Sequence, residues 1–197
     1  MIRRILAAAA MGALVLASTG CGTKTDKESL PEVPLRVNLI ENPSFEEWKD
    51  GNPVGWELKE FEGSGAKRNI YGRSGKEKKT GEFSYYLRGV YNVDRWMVLV
   101  QRQPVLPKYR LSLSGYMKSK DLKKTKGQET RANVYLIFYD KDGNRVNDRY
   151  YADAYTHFLG GTKDWKRYAT RGVVPKNARY VEVGLIGQMT GYIYFDD

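Results

Sequence analysis

The sequence has little of the chemistry that most enzymes use, with one cysteine and one histidine in 197 residues. A single cysteine excludes an internal disulfide, so the fold must be held together by its core or by a bound metal. His157 has no cysteine and no obvious carboxylate partner near it, so the sequence lacks the residues needed for a Ser-His-Asp triad or a zinc site. After residue 37 no stretch keeps the apolar spacing of a long helix. These absences predict a non-catalytic protein without helices.

The only long apolar run lies at the amino terminus. Arg3 and Arg4 precede an apolar stretch, residues 5–17, that is too short to span a bilayer stably. Residues 1–20 are therefore predicted to be a signal peptide. Residues 16–21 are similar to a bacterial lipoprotein cleavage box in which Cys21 becomes the lipidated first residue, although Ser18 stands where an aliphatic residue is usual. The alternative is ordinary secretion with a stray thiol.

The remaining chain divides into a tether and one domain. Residues 21–35 are polar and lack periodicity, so we expect a flexible tether on a lipid-anchored protein of the bacterial cell envelope. Residues 36–197 have the length of one domain, and we expect a monomer. The chain carries a net charge of +10, which favours anionic partners such as acidic polysaccharide or lipid headgroups, or serves only solubility. No nucleic-acid partner is predicted, because no reading motif is present.

Short alternating runs separated by turn residues predict an all-β fold. We expect an antiparallel two-sheet β-sandwich of the jelly-roll type, in which the second, seventh, fourth and fifth of eight strands share one sheet. The other sheet would take the remaining strands together with early strands at 54–58 and 66–71. Residues 72–79 and 118–128 are rich in basic residues and are predicted to be loops. Residues 140–144 are predicted to be a hairpin turn and not a calcium loop, because the spacing of a calcium loop is missing there. The eight predicted strands are 83–88, 94–103, 109–117, 131–139, 145–151, 164–170, 179–187 and 191–197.

Alternation also assigns side chains to faces. If Met97, Leu99 and Gln101 face the core, Trp96 faces outward. The same reasoning then brings Trp96, Tyr135, Tyr180 and Glu182 to one sheet surface, with Asn133 as a weaker member. Sugar rings pack on aromatic rings and need carboxylate or amide partners for their hydroxyls, so this set predicts a glycan-binding surface. Two alternatives remain: tyrosine is simply a good strand former, or the tyrosines contact another protein.

Two stretches at opposite ends of the domain carry a family resemblance. Residues 38–46 read Asn-Leu-Ile-Glu-Asn-Pro-Ser-Phe-Glu, and residues 194–197 read Tyr-Phe-Asp-Asp. The pair resembles the ends of the jelly-roll carbohydrate-binding modules attached to xylanases and glucanases, in the galactose-binding-like fold group. The resemblance implies non-catalytic binding of a polysaccharide or oligosaccharide. Relatives usually continue for a few residues beyond this point, so an accessory domain of a longer enzyme stays an alternative.

The resemblance also implies structural roles for particular residues. It places Phe45, Trp56 and Trp165 in the core and leaves Trp48 open. It further implies a structural calcium that ties the two ends of the domain together. Glu46 and Asp196 would be its side-chain ligands. Backbone oxygens, with residues 80–82 as their source, would complete the coordination. Calcium prefers such oxygen ligands, and two carboxylates brought together without a cation would repel each other.

Overall fold

The computed structural model describes residues 37–61, 70–89, 96–123, 131–146 and 160–197. The predicted signal peptide, the tether, Cys21 and His157 lie outside these ranges. Inside them, the chain has no helix long and apolar enough to cross a bilayer.

Two antiparallel sheets form the domain and confirm the predicted β-sandwich. The four-stranded sheet has, in spatial order, β3 (Glu57–Phe61), β6 (Trp96–Pro104), β10 (Tyr180–Gln188) and β8 (Arg131–Tyr139). The five-stranded sheet has, in spatial order, β4 (Ile70–Ser74), β5 (Ser84–Gly89), β11 (Thr190–Asp196), β7 (Arg110–Lys123) and β9 (Gly161–Val173). A short hairpin, β1 (Trp48–Lys49) and β2 (Asn52–Pro53), precedes both sheets.

The core lies between the inner faces of the two sheets, because each strand turns alternate side chains inward. The inward set predicted for residues 94–103 is confirmed: Met97 and Leu99 are 2% and 1% exposed and belong to the main core cluster. The other fully buried members of that cluster include Leu111, Leu113, Met117, Leu136, Val181, Val183, Leu185, Ile193 and Phe195. Burial of these apolar side chains is the main stabilising contribution to the fold.

The predicted sheet order is confirmed for three of its four strands. Strands β6, β10 and β8 are neighbours in that order. Arg145 makes a bridge to Tyr139 next to them, whereas residues 147–151 lie outside the described part of the chain. Of the two early strands, the one predicted at 54–58 was assigned to the wrong sheet, because β3 pairs with β6, whereas the one predicted at 66–71 overlaps β4 in the five-stranded sheet, as expected. Alternation predicts which side chains share a face and carries no information about which distant strand becomes the neighbour.

The two predicted loops are partly strand. Residues 72–74 continue β4, and residues 118–123 continue β7, which pairs with both β9 and β11. The ladders shift register at irregularities between Met117 and Ser119 and between Ser119 and Leu122. Such bulges interrupt the strict alternation of polar and apolar residues. The loop was predicted from the basic residues of this segment, and that prediction is wrong for residues 118–123.

The aromatic side chains expected in the core separate into two groups. Phe45 is fully buried and Trp56 is 7% exposed, as predicted, and Trp48 packs partly buried against the same core. Trp165 was predicted wrongly. It is half-exposed on β9, an edge strand. Its neighbour Tyr168 takes the inward position and packs against the core, which leaves Trp165 on the outer face.

Candidate functional site

A buried carboxylate lies on the outer face of the four-stranded sheet. Glu182 is 4% exposed, and strand pairing places it between Arg102 on β6 and Ile137 on β8. Its Oε2 atom accepts hydrogen bonds from Lys59 Nζ at 3.0 Å and Arg102 Nη2 at 3.4 Å. A sheet face directed away from the core has no structural need for a buried charge, so this one requires the partners that surround it.

Two tyrosine hydroxyls complete the set of Glu182 partners. Tyr135 and Tyr139 on β8 donate to Glu182 Oε1 at 3.3 and 3.4 Å. Burial, followed by the nearby Glu182 carboxylate, raises the pKa of both tyrosines, so the hydroxyls stay protonated and can donate. The Arg102 guanidinium carbon also lies 4.1 Å from the centre of the Tyr139 ring, a cation–π contact. We call these five residues the Glu182 network: Glu182, Lys59, Arg102, Tyr135 and Tyr139.

Gly184 leaves the space in which the Tyr135 ring lies. A Cβ atom built on Gly184 would fall 2.0 Å from Tyr135 Cζ, so no larger residue fits beneath the ring. Tyr135 also packs against an apolar cluster on the same outer face, formed by Val98, Val100 and Ile186. The ring is therefore held against the sheet with its hydroxyl directed at Glu182.

Beside the network lie an exposed tyrosine, Tyr180, and a cleft. Tyr180 pairs with Pro104 on one side and with Tyr139 on the other, and its exposed fraction of 38% is among the largest of any hydrophobic side chain in the described residues. At the β3 edge, a cleft of about 550 Å³ reaches Glu182. Its lining includes Glu41, Trp56, Glu57, Lys59, Gln101, Arg102 and Gln103. The face thus offers an aromatic ring beside a polar cleft that contains both signs of charge.

The residues predicted to contact a glycan differ in their position and in their exposure to solvent. Tyr135, Tyr180 and Glu182 lie near one another, as expected. Trp96 begins β6, and its side chain lies outside the described part of the structure. Asn133 pairs with Ile186 but is only 6% exposed, and its Oδ1 atom has no hydrogen-bond partner. In this conformation Asn133 offers little contact surface to a ligand.

Sequence reasoning missed the two cations of the network. Lys59 contacts a residue 123 positions away, and Arg102 one that is 80 positions away. Arg102 carries a weak signal, because it follows Val98 and Val100 at the alternate positions of the outer face. Lys59 carries none, because its place depends on the pairing of β3 with β6.

A second cluster of carboxylates lies where the two ends of the domain meet. Asp196 is fully buried, and its Oδ2 atom accepts hydrogen bonds from the backbone N–H groups of Lys79 at 2.5 Å and Thr80 at 3.0 Å. Glu46 accepts from the N–H group of Glu82 at 3.0 Å. The turn between them passes so close to Glu46 that a Cβ on Gly81 would lie 2.0 Å from Glu46 Oε1. One turn therefore holds both predicted metal ligands.

The chemistry of this cluster fits an oxygen-bound cation. The Oδ1 atom of Asp196 is buried without a hydrogen-bond partner. Burial raises the pKa of Asp196, the N–H groups of Thr80 and Lys79 lower it, and the Glu46 carboxylate raises it further. Among the described residues no three His, Cys, Asp or Glu side chains group as a metal site. Backbone oxygens would therefore have to complete the coordination.

Comparison with known proteins gives structural neighbours only. No family model matches the sequence, and no curated protein matches it. A structure of TmCBM61 in complex with β-1,4-galactotriose has a TM-score of 0.50 and 16% identity, over 82% of this chain and 95% of that one. The CBM22-1 xylan-binding domain of Paenibacillus barcinonensis Xyn10C has a TM-score of 0.50 and 15% identity, over 78% of this chain and 87% of that one.

A third neighbour comes from an enzyme. The enzymatically active domain of bacteriophage CBA120 tailspike protein 4 has a TM-score of 0.60 and 19% identity, over 81% of this chain. This chain spans only 20% of the tailspike chain. At these identities the likeness is one of fold. The protein therefore has the β-sandwich fold that carbohydrate-binding modules also have.

Proposed function

We propose that this domain binds a glycan, without catalysis, on the outer face of the four-stranded sheet. The observation that carries the proposal is the Glu182 network. A buried ion pair is weak evidence for stability, because desolvation of the two charges offsets their attraction. A buried carboxylate that holds two cations and two tyrosines on a face directed away from the core is better explained as a binding surface.

The network organises this surface more than it provides direct contacts. Both Glu182 oxygens are already hydrogen-bonded, so Glu182 serves as a positioning residue. Tyr180 supplies the exposed ring for stacking against a sugar, and Lys59, Arg102 and Gln103 along the cleft supply donors for sugar hydroxyls. This assignment keeps Tyr135, Tyr180 and Glu182 in the site and leaves Trp96 and Asn133 as predictions.

A structural calcium is the second part of the proposal. Glu46 and Asp196 would hold it, with backbone oxygens from residues 80–82, and its role would be to tie the amino-terminal region to β11. The Asp196 Oδ1 atom that has no hydrogen-bond partner supports this assignment, because a buried carboxylate oxygen without a partner is strongly destabilising.

Tyr180→Ala should weaken polysaccharide binding by about tenfold, because it removes the exposed ring on which a sugar would stack. Tyr180→Phe is the matched variant, since it keeps the ring and loses only the hydroxyl, and it should bind nearly as well as the original protein. Affinity electrophoresis in gels that contain xylan, β-1,4-galactan or a mixed-linkage glucan would measure both.

Two results would contradict glycan binding on this face. One is migration that none of the polysaccharides retards. The other is binding of one of these three polysaccharides with an affinity that neither Tyr180→Ala nor Glu182→Gln changes. If a pull-down then recovers a partner protein whose binding depends on Tyr135 and Tyr180, this face is better explained as a protein-contact surface.

We further propose that the domain is anchored to the bacterial envelope through lipid on Cys21. Cells that express the full chain should incorporate radiolabelled palmitate into this protein, and Cys21→Ser should abolish the label because it removes the acceptor thiol. Detergent partitioning of the same samples gives an independent readout. A labelled Cys21→Ser variant, or an unlabelled original protein that is secreted in soluble form, would rule out the anchor.

A further inference from the structure

Four aromatic side chains form a continuous row on the outer face of the five-stranded sheet, on the side of the domain opposite the Glu182 network. The ring centres of Tyr192 and Tyr194 are 6.0 Å apart and the rings are nearly parallel, at 7°. Tyr86 lies 6.1 and 6.2 Å from these two rings, and Trp165 lies 6.5 Å from Tyr194. We call Tyr86, Tyr192, Tyr194 and Trp165 the aromatic row.

The rings of the row meet at different angles: Tyr86 is tilted by 46° and 47° against Tyr192 and Tyr194, and Trp165 by 62° against Tyr194. Tyr86 covers Gly72, where a Cβ would fall 3.3 Å from the ring. Tyr194 is only 6% exposed, and the other three side chains of the row are half-exposed. The core has no use for these rings, because the alternate residues Leu87, Ile193 and Phe195 already fill it. The half-exposed rings of Tyr86, Tyr192 and Trp165 therefore offer apolar surface to a ligand on the outside of this sheet.

The same face carries a concentrated positive charge. Lys118 on β7 pairs with Tyr194, and Arg167 on β9 pairs with Tyr116, whereas Lys166 lies opposite the core residue Met117 and belongs to the other face. Arg88, Tyr192 and Lys120 occupy one hydrogen-bonded row across three adjacent strands. Neighbouring strands lie about 4.8 Å apart, so a cation stands on each side of the ring. Arg88 and Lys120 are exposed, and the Arg88 guanidinium carbon lies 5.3 Å from the Tyr192 ring centre.

Protection of the sheet edge explains only part of this charge. Basic residues on an edge strand such as β9 prevent unwanted pairing with other chains, but Arg88 and Lys120 lie on interior strands, β5 and β7. Lys118 is used internally, because it pairs with Glu77 at 3.0 Å and with Asp164 at 3.3 Å. Arg88 and Lys120 have no such acidic partner among the described residues, so they can meet an anion from outside.

From these observations we propose that the outer face of the five-stranded sheet is a second binding surface, which takes an anionic polysaccharide. Sugar rings would lie on the half-exposed rings of Tyr86, Tyr192 and Trp165, and the carboxylate or sulfate groups would meet Arg88 and Lys120. This inference does not depend on glycan binding by the Glu182 network, since the two surfaces belong to different sheets.

The test compares a charged polymer with an uncharged one. The Tyr180→Ala variant, in which the other surface is weakened, should be retarded by polygalacturonate far more than by neutral β-1,4-galactan, and the retardation by polygalacturonate should decrease as salt is added, because salt screens exposed charges. An Arg88→Ala and Lys120→Ala double variant should lose about tenfold or more in affinity. The Tyr192→Ala variant should lose affinity as well, which a purely electrostatic contact would not show.

Matched controls separate this surface from general charge. Lys49→Ala combined with Lys176→Ala removes the same two charges from exposed positions elsewhere, and this variant should bind polygalacturonate nearly as well as the original protein. Tyr180→Ala should have no effect on this polymer. Equal weakening by the control pair, or no retardation by polygalacturonate, would overturn the inference. So would tighter binding of phosphatidylglycerol vesicles or single-stranded oligonucleotide that also requires Arg88, Lys120 and Tyr192.

Discussion

Calcium should raise the melting temperature of this domain by roughly 5–10 °C, and EDTA should reverse the change. A ligand present at 100 times its dissociation constant stabilises the folded state by about 2.7 kcal/mol. For a domain of this size each kcal/mol corresponds to about 2–4 °C. Calcium is expected to bind the folded domain because the buried Oδ1 atom of Asp196 has no hydrogen-bond partner there.

Substitution of the two proposed ligands should remove this response. Asp196→Asn keeps the size of the side chain, so the domain should still fold, and in EDTA it should melt no lower than the original protein because a buried charge is lost. Glu46→Gln should also abolish the calcium response while the fold remains. Differential scanning calorimetry of each variant with calcium and with EDTA measures both effects.

Asp142→Asn is the matched control, because Asp142 is an exposed acid in the hairpin turn and loses the same charge. It should keep the full calcium response. The calcium proposal is wrong if the original protein melts at one temperature in calcium and in EDTA. It is also wrong if Asp142→Asn loses the response as completely as Asp196→Asn does.

Phe45→Ala should destabilise the domain by about 3–5 kcal/mol, a typical loss for a buried phenylalanine. Phe45 is completely buried, and its ring centre lies 5.3 Å from that of Trp56 and 5.6 Å from that of Tyr85. Removal of the ring leaves a cavity at the junction of the amino-terminal segment and the core. Since domains are stable by only about 5–15 kcal/mol, urea denaturation should show a much lower midpoint.

Phe83→Ala provides the comparison for this effect. Phe83 is only half-buried and contacts the Arg73 guanidinium at 4.8 Å, so its loss should destabilise the domain by about 1 kcal/mol or less. Both variants should be measured at one calcium concentration, because metal binding alters the midpoint. Similar midpoints for the two variants would show that Phe45 does not have the core role assigned to it.

Much of the fold was predictable from local pattern. The alternation of Val181, Val183 and Leu185 predicted the inner face of β10, and all three are completely buried. The ends of the domain were also informative. Glu46 and Asp196 are 150 residues apart in the sequence, yet they meet at one turn, as the family resemblance implied.

The errors arose where local pattern stops being informative. Trp165 is expected in the core because the family resemblance implies a core aromatic there, but β9 is an edge strand and this side chain lies on its outer face, 6.5 Å from Tyr194. Residues 118–123 are predicted as a loop because they are basic, yet with two register shifts they continue β7. Neither error could be removed without knowledge of the strand neighbours.

The sequence by itself determined the fold class and the inward and outward side chains of the main strands, because both depend on short-range periodicity. It also indicated that Glu46 and Asp196 meet, because both belong to a recognisable motif. Only the tertiary structure decided which outward side chains meet. Lys59 and Arg102 reach Glu182 because β3, β6 and β10 are neighbours, and Arg88, Tyr192 and Lys120 share a row because β5, β11 and β7 are neighbours. Hydrogen-bond register joins residues far apart in the chain, and alternation within one strand does not encode that register.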